Sequence, residues 1–539
     1  MDAKPRSRKY LFLAIFLSAS LLLTTAASTV LMAQKISGHQ VLNGDVYDYD
    51  ITTTSSYTVF MSDPVTDHVM ELYSVPTWGG NRTLLSPGMT EMRGVLGFRL
   101  SPDGTKVVYW VGFGEEEERA EAIYVVPVAG GTPINLTGQI VAGLYLEGEP
   151  GIAISADSQW LFFTLGDLAA EHVLYRVPLS GIADPEPISP TDEDCLEVKF
   201  APMPSDHGVV YARTKLGLVG SELVYVNPSG VSLTLTTISG VFGEGGITPD
   251  GQWVLYIEDL YGVSGDDLFA VSLDGLTKNQ LNDPLVMGGD VVDFQISTDN
   301  SAVVYRADQD VNDVFEIYTV EFEHGWVYDL IPSMVAGGDV IDYELIYYEN
   351  KAIGVAYRAD QLVDEKIDLG SVSMNGATSY LLNPGMPNTG DVTDFKVSTN
   401  GIAVVFIADY IDDQRIIWIN TVIGDNLNPI GWQTEDGTPL WPTYSDVEEF
   451  SLAPNDSFIA FIANLDQQFV DDLYIVQYTD LFTRKKISGP MENPRHVDSF
   501  LITPNSQGVV YRADQDTDHV WELYSVFYRF VQYMPVIAR

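Results

Sequence analysis

One cysteine, Cys195, stands alone in 539 residues. That excludes an internal disulfide framework and every multi-cysteine metal centre, so stability must come from packing and strand pairing. Seven histidines are scattered without HxH or HExxH spacing, which argues against a histidine-ligated metal enzyme. No GxSxG nucleophile elbow occurs, and this argues against a propeller-capped serine peptidase. Positive charge is equally scarce: 28 Lys+Arg face 75 Asp+Glu, for a formal charge of −47. Nucleic-acid binding, whose affinity comes mainly from cations neutralising phosphate, is set aside on that ground. Such a surface suits divalent cations, cationic partners or plain solvation.

Long apolar runs are confined to the start of the chain. KPRSRK at 4 to 9 is a basic n-region, Leu11 to Leu23 is an apolar core, and TTAAS at 24 to 28 supplies small residues for cleavage after Ala27. Residues 1–27 are therefore an export signal, or an uncleaved anchor spanning 10–32. The mature chain is expected outside the cytoplasm, whether secreted, periplasmic or on the cell surface. Residues 28–43 read as a short linker and 531–539 as a C-terminal tail.

What the chain has in abundance is repetition. A turn after an alternating strand recurs as SPDG at 101, SADS at 155, TPDG at 248, STDN at 297, STNG at 398, APND at 453 and TPNS at 503. Divergent copies lie at 53, 201 and 347, so ten units 46 to 55 residues apart fill residues 44–530. A fixed period of this size marks a repeat architecture. Each unit predicts four short strands joined by hairpins, hence an antiparallel sheet with two apolar faces to cover. Radial stacking covers both faces, and the predicted fold is an all-β propeller of about ten four-stranded blades, as one continuous array or two tandem rings. Blades one and ten are nearest kin, with DHVMELYSV at 67 and DHVWELYSV at 518, so closure into one ring would make them neighbours.

The unit SPDGTKVVYW through AIYVVPVAGGTPINLT, and TPDGQWVLYI with DDLFAVSLDG, closely resemble the repeat of TolB-like β-propellers, relatives of the WD-repeat blade. The resemblance covers residues 44 to 526. It implies a propeller in an envelope or extracellular protein that binds a partner, and it carries over no catalytic residue.

Three polar constellations stand out. The loops DQDVND and DQDTDH place Asp308, Asp310 and Asn312, and Asp514, Asp516 and Asp518, at alternating positions that could offer oxygens to calcium. The same residues favour turns by bonding their own backbone. Arg306 with Glu316, Arg358 with Asp368 and Arg512 with Glu522 recur at one separation, while blade eight has Ile407 and Ile417; this predicts cross-strand ion pairs. Finally Asp48, Asp293, Asp342, Asp394 and Glu449 form a column at the start of the first strands, which line the channel of a propeller. That column could hold a cation or a basic peptide, or each carboxylate could bond an amide or an arginine of its own blade.

The expected function is a non-enzymatic scaffold binding a protein, peptide or glycan, with no cofactor required and calcium the one candidate. Two alternatives stand beside it: a metal-dependent propeller hydrolase or lyase with an acidic channel site, and a calcium-stabilised surface or adhesive module.

Overall fold

The computed structural model describes residues 33–528 apart from 42, 92, 114–118, 139–150, 167–172, 191–194, 205–207, 216–219, 239–240, 260–264, 323–324, 332–333, 386–389, 412–413 and 432–445. The export segment and the C-terminal tail lie outside the described residues. None of the described residues forms a helix long and apolar enough to cross a membrane.

The strand Ala302–Ala307, AVVYRA, shows how sequence builds the fold. Side chains of a strand alternate between its two faces. Val303, Tyr305 and Ala307 pack against Leu255 and Leu268 of the preceding blade, while Val304 packs against Val340 and Val355 of the next. A strand apolar at successive positions is thus covered on both sides. The pattern gives ten four-stranded antiparallel sheets and ten apolar clusters, each cluster shared by two consecutive blades.

The recurring turn has a definite chemistry. In SPDG the Ser101 hydroxyl donates to Asp103 Oδ1 at 2.6 Å and accepts the Lys106 N–H at 2.9 Å. Gly104 follows with φ +68°, and Ser158, Asn300, Asp456 and Ser506 take the same left-handed conformation in other blades. These residues also link neighbours. Ser158 Oγ accepts the Asp103 N–H at 2.9 Å, and Ser506 Oγ accepts that of Asn455 at 3.1 Å. The chain of links crosses the junction between the ends, where Ser55 Oγ accepts the Asn505 N–H at 3.0 Å.

That junction closes a single ring of ten blades, outside the usual range of about four to eight. Its core is Ile36, Val46, Phe60, Val510 and Leu523. The fourth strand of blade ten comes from the other end of the chain: Gln34–Lys35 pairs antiparallel with Glu522–Phe527. Residues 34–35, read as linker in the sequence, therefore latch the ring, with the Ile36 N–H donating to Leu523 O at 2.8 Å.

Candidate functional site

The channel-side column sits at a shared backbone irregularity. Among the described residues the first strand shifts register in nine blades, and in six of these the shift lies between Val46/Asp48, Val291/Asp293, Val340/Asp342, Val392/Asp394, Val447/Glu449 and Val497/Ser499. A bulge twists the strand and re-aims the next side chain. The side chain re-aimed is the carboxylate in five blades and Ser499 in blade ten.

The arginines of the second strands go to this column, which corrects the expected pairing with Glu316, Asp368 and Glu522. Arg306 lies opposite Ile317, and Glu316 lies opposite Ala307. Adjacent residues point to opposite faces, so the offset of one separates the two charges. Arg306 Nε instead donates to Asp293 Oδ2 at 2.9 Å, and Arg358 Nε to Asp342 Oδ1 at 2.8 Å. In blade ten Arg512 holds Asp498, a channel-side carboxylate the sequence reading did not select. Each arginine also staples the next blade, Arg306 Nη1 bonding Val340 O at 2.9 Å and Arg512 Nη1 bonding Val46 O at 3.1 Å across the closure.

Blades eight and nine lack that arginine. Ile407 lies opposite Asp394 and Ile462 opposite Glu449. Burial raises the Asp394 carboxyl above the ordinary carboxylate range; Lys396, the Phe395 N–H and Arg358 of the preceding blade partly offset this, and Asp342 adds repulsion. Glu449 keeps solvent contact in the channel but is ringed by protein atoms. That desolvation raises it, with Lys396 opposing and Asp498 and Asp394 repelling. Glu344, on the neighbouring wall, is also raised by burial while accepting the Val397 N–H at 2.8 Å. Two carboxylates and one ammonium therefore influence one another across adjacent first strands. Asp48, opposite Met61, accepts the Tyr49 N–H at 2.8 Å and stands on an exposed stretch of blade one.

The acidic loops are largely committed to backbone. Asp308 is buried and accepts the N–H groups of Asp290 and Asp313, the latter at 2.9 Å. Asp514 does the same for His496 at 2.7 Å and His519 at 3.1 Å. Asp313 and His519, with φ 60° and 59°, are the left-handed residues these carboxylates fix. Asn312 donates to Asp313 Oδ2 at 2.7 Å, and Asp518 lies 3.7 Å from the His519 ring nitrogen. Asp516 accepts the Lys35 ammonium at 2.6 Å.

Asp310 has a different setting. It shares a cluster with Glu316 and Asp329, whose ligand oxygens all lie within 4.8 Å of one another, as do the ligand atoms of Asp514, Asp518 and His519 in blade ten. Glu316 is buried, and desolvation, then repulsion from Asp329, pushes its carboxyl up to about 7 despite the Tyr318 hydroxyl it accepts at 3.0 Å. Neither Glu316 nor Asp329 was singled out from sequence as a ligand. Asp329 belongs to a fourth strand of three residues, too short to carry a pattern.

Neither a family model nor a curated protein matches the chain. Among solved structures, an oligogalacturonate lyase in complex with manganese is 13% identical with a TM-score of 0.38, covering 93% of this chain and 98% of its own. A prolyl endopeptidase structure is 11% identical, TM-score 0.38, covering 78% of this chain and 55% of its own. The structure of a putative TolB from Agrobacterium tumefaciens is 18% identical, TM-score 0.29, covering 46% and 83%. Identities this low speak to the fold alone: a propeller whose blades resemble the TolB-like repeat. The expectation of a non-enzymatic scaffold is not carried forward: the structures that share the fold include a lyase and an endopeptidase, and a likeness of this size assigns no activity to this chain.

Proposed function

We propose that the protein is an exported, metal-dependent propeller hydrolase or lyase whose site lies in the channel at Asp394, Glu449 and Lys396. The observation that supports this reading is the loss of the arginine in blades eight and nine alone of the blades six to nine. Where Asp293 and Asp342 are neutralised by Arg306 and Arg358, Asp394 and Glu449 face isoleucine. Mutually repelling, partly desolvated carboxylates with raised proton affinity are the environment that acid–base sites need. They are also a donor set suited to a hard divalent cation, which would relieve the repulsion.

When bound there, such a cation supplies Lewis acidity towards a carbonyl or a water. The chain's own residues do the rest. Burial raises the proton affinity of both Asp394 and Glu449 above that of ordinary carboxylates, and the Lys396 ammonium partly offsets this at each. The net charge of −47 repels polyanions, so a neutral or cationic peptide or glycan is the fitting substrate rather than a polyuronate. The basic and apolar pattern of residues 1–27, read as an export signal or an anchor, supports an activity outside the cytoplasm.

The test is a panel of chromogenic glycosides, peptides and lactones with and without manganese, magnesium and calcium. Metal-stimulated turnover should fall by about 10²-fold or more in Asp394→Asn/Glu449→Gln. Turnover unchanged in that variant would remove the channel site from consideration.

A further inference from the structure

Four blade junctions are sealed by aromatic rings where the second strand opens. Trp253 of blade five meets Phe322 of blade six with ring centroids 5.9 Å apart, and Phe458 of blade nine meets Tyr528 of blade ten at 6.3 Å. At the other two the second strand opens on a small residue, and the following blade supplies the ring. Tyr478 of blade nine packs into the cluster that contains Ala403. Trp78 of blade one covers Gly508 so closely that a methyl group added there would meet the indole at 2.7 Å. The same indole packs edge-on against Phe527 at 5.1 Å.

The junction of blades six and seven lacks such a ring. Ala302 pairs with Glu321 as Gly508 pairs with Phe527, so Ala302 holds the place of Gly508. Asn375 precedes Gly376 as Trp78 precedes Gly79, and each glycine N–H bonds the carbonyl three residues back. Asn375 thus stands where blade one has its indole. Its side chain turns into its own hairpin, accepting the Ser373 hydroxyl at 3.0 Å and the Ala377 N–H at 3.2 Å. Met374 takes the place of Tyr478, each N–H bonding the residue that opens the second strand of its blade. What is left is a cavity of about 540 Å³ whose lining includes Ala302, Thr319, Glu321, Ile353, Met374 and Asn375.

We propose that this groove binds an aromatic side chain of a basic peptide, the ring taking the place that Trp78 fills between blades ten and one. The other junctions show that a ring is what the blade geometry accepts there, and the Met374 thioether makes favourable contact with ring edges. The basic character follows from charge. Glu321 brings a carboxylate where blade ten has Phe527, on a protein of net charge −47, and a lysine or arginine beside the aromatic residue pairs with it. The groove is built from second and third strands and their turns, not from the first strands of the channel.

The probe is acetyl-Lys-Trp-Lys-amide, titrated into the protein by isothermal calorimetry at low salt beside acetyl-Lys-Leu-Lys-amide, which carries the same charge. The tryptophan peptide should bind saturably in the submillimolar to millimolar range, and the leucine peptide at least about tenfold more weakly. Asn375→Trp supplies the ring as blade one does; it should weaken binding of the tryptophan peptide at least about tenfold and raise the melting temperature. Should that variant fail to fold, Glu321→Gln serves instead. It should weaken the same peptide about threefold and leave acetyl-Ser-Trp-Ser-amide unaffected. Asp394→Asn/Glu449→Gln should bind the peptide as the parent does, so failure here and failure in the channel are separable. Equal affinity for the two lysine peptides, equal affinity in parent and Asn375→Trp, or no saturable binding at millimolar peptide overturns the site.

Discussion

Glu316 gives the most quantitative handle on the molecule. Its carboxyl titrates at about 7 in the fold instead of 4.5. Between those values the folded chain holds a proton that the unfolded chain releases, so stability is fully present below about 4.5 and declines as pH rises to about 7. The full shift corresponds to roughly 3 kcal/mol, and solvent screening of a cluster that reaches the surface reduces this to about 1–2 kcal/mol. Glu316→Gln keeps the acceptor for Tyr318 and removes the titration. In chelator, parent and variant should have the same urea midpoint near pH 4. At pH 8 the variant should be more stable by about 1–2 kcal/mol. Other carboxylates contribute equally to both proteins, and the difference isolates this one. A variant less stable than the parent at pH 8 would refute the reasoning.

Three further outcomes follow from the ring. Arg358→Met strips Asp342 of its partner and cuts the bond to Val392 O, and should lower stability by about 1–3 kcal/mol in urea unfolding. Ile36→Ala opens a cavity in the closing core and should cost about 2–4 kcal/mol; light scattering should reveal association through the freed edge of blade ten. Gly401→Ala meets the Tyr347 carbonyl oxygen at 2.0 Å from its new methyl group, whereas Gly325→Ala at a similar φ meets nothing. The first should cost well over about 1 kcal/mol and the second about 1 kcal/mol, by thermal melts.

The blades were legible because each apolar strand and each Ser/Thr-x-Asp/Asn turn is a local pattern. Ser101, Asp103 and Gly104 specify their turn without help from the rest of the chain. The carboxylate column was legible too, since GDVxDF recurs. What escaped was set by register and distance. Counting residues from Arg306 to Glu316 cannot fix which face each occupies, and the left-handed Asp313 sets the hairpin one step away from the expected pairing. Lys35 could not be placed beside Glu522, 487 residues on, until ring closure brought them together. The cluster around Glu316 escaped for the same reason: Asp329 acquires its place only by pairing opposite Tyr318.

The most direct test of the channel reading is manganese binding followed by electron paramagnetic resonance. The parent should show a manganese site in the channel, and Asp394→Asn/Glu449→Gln should lose it with the fold intact. Undiminished manganese binding at the channel in the double variant would contradict the account.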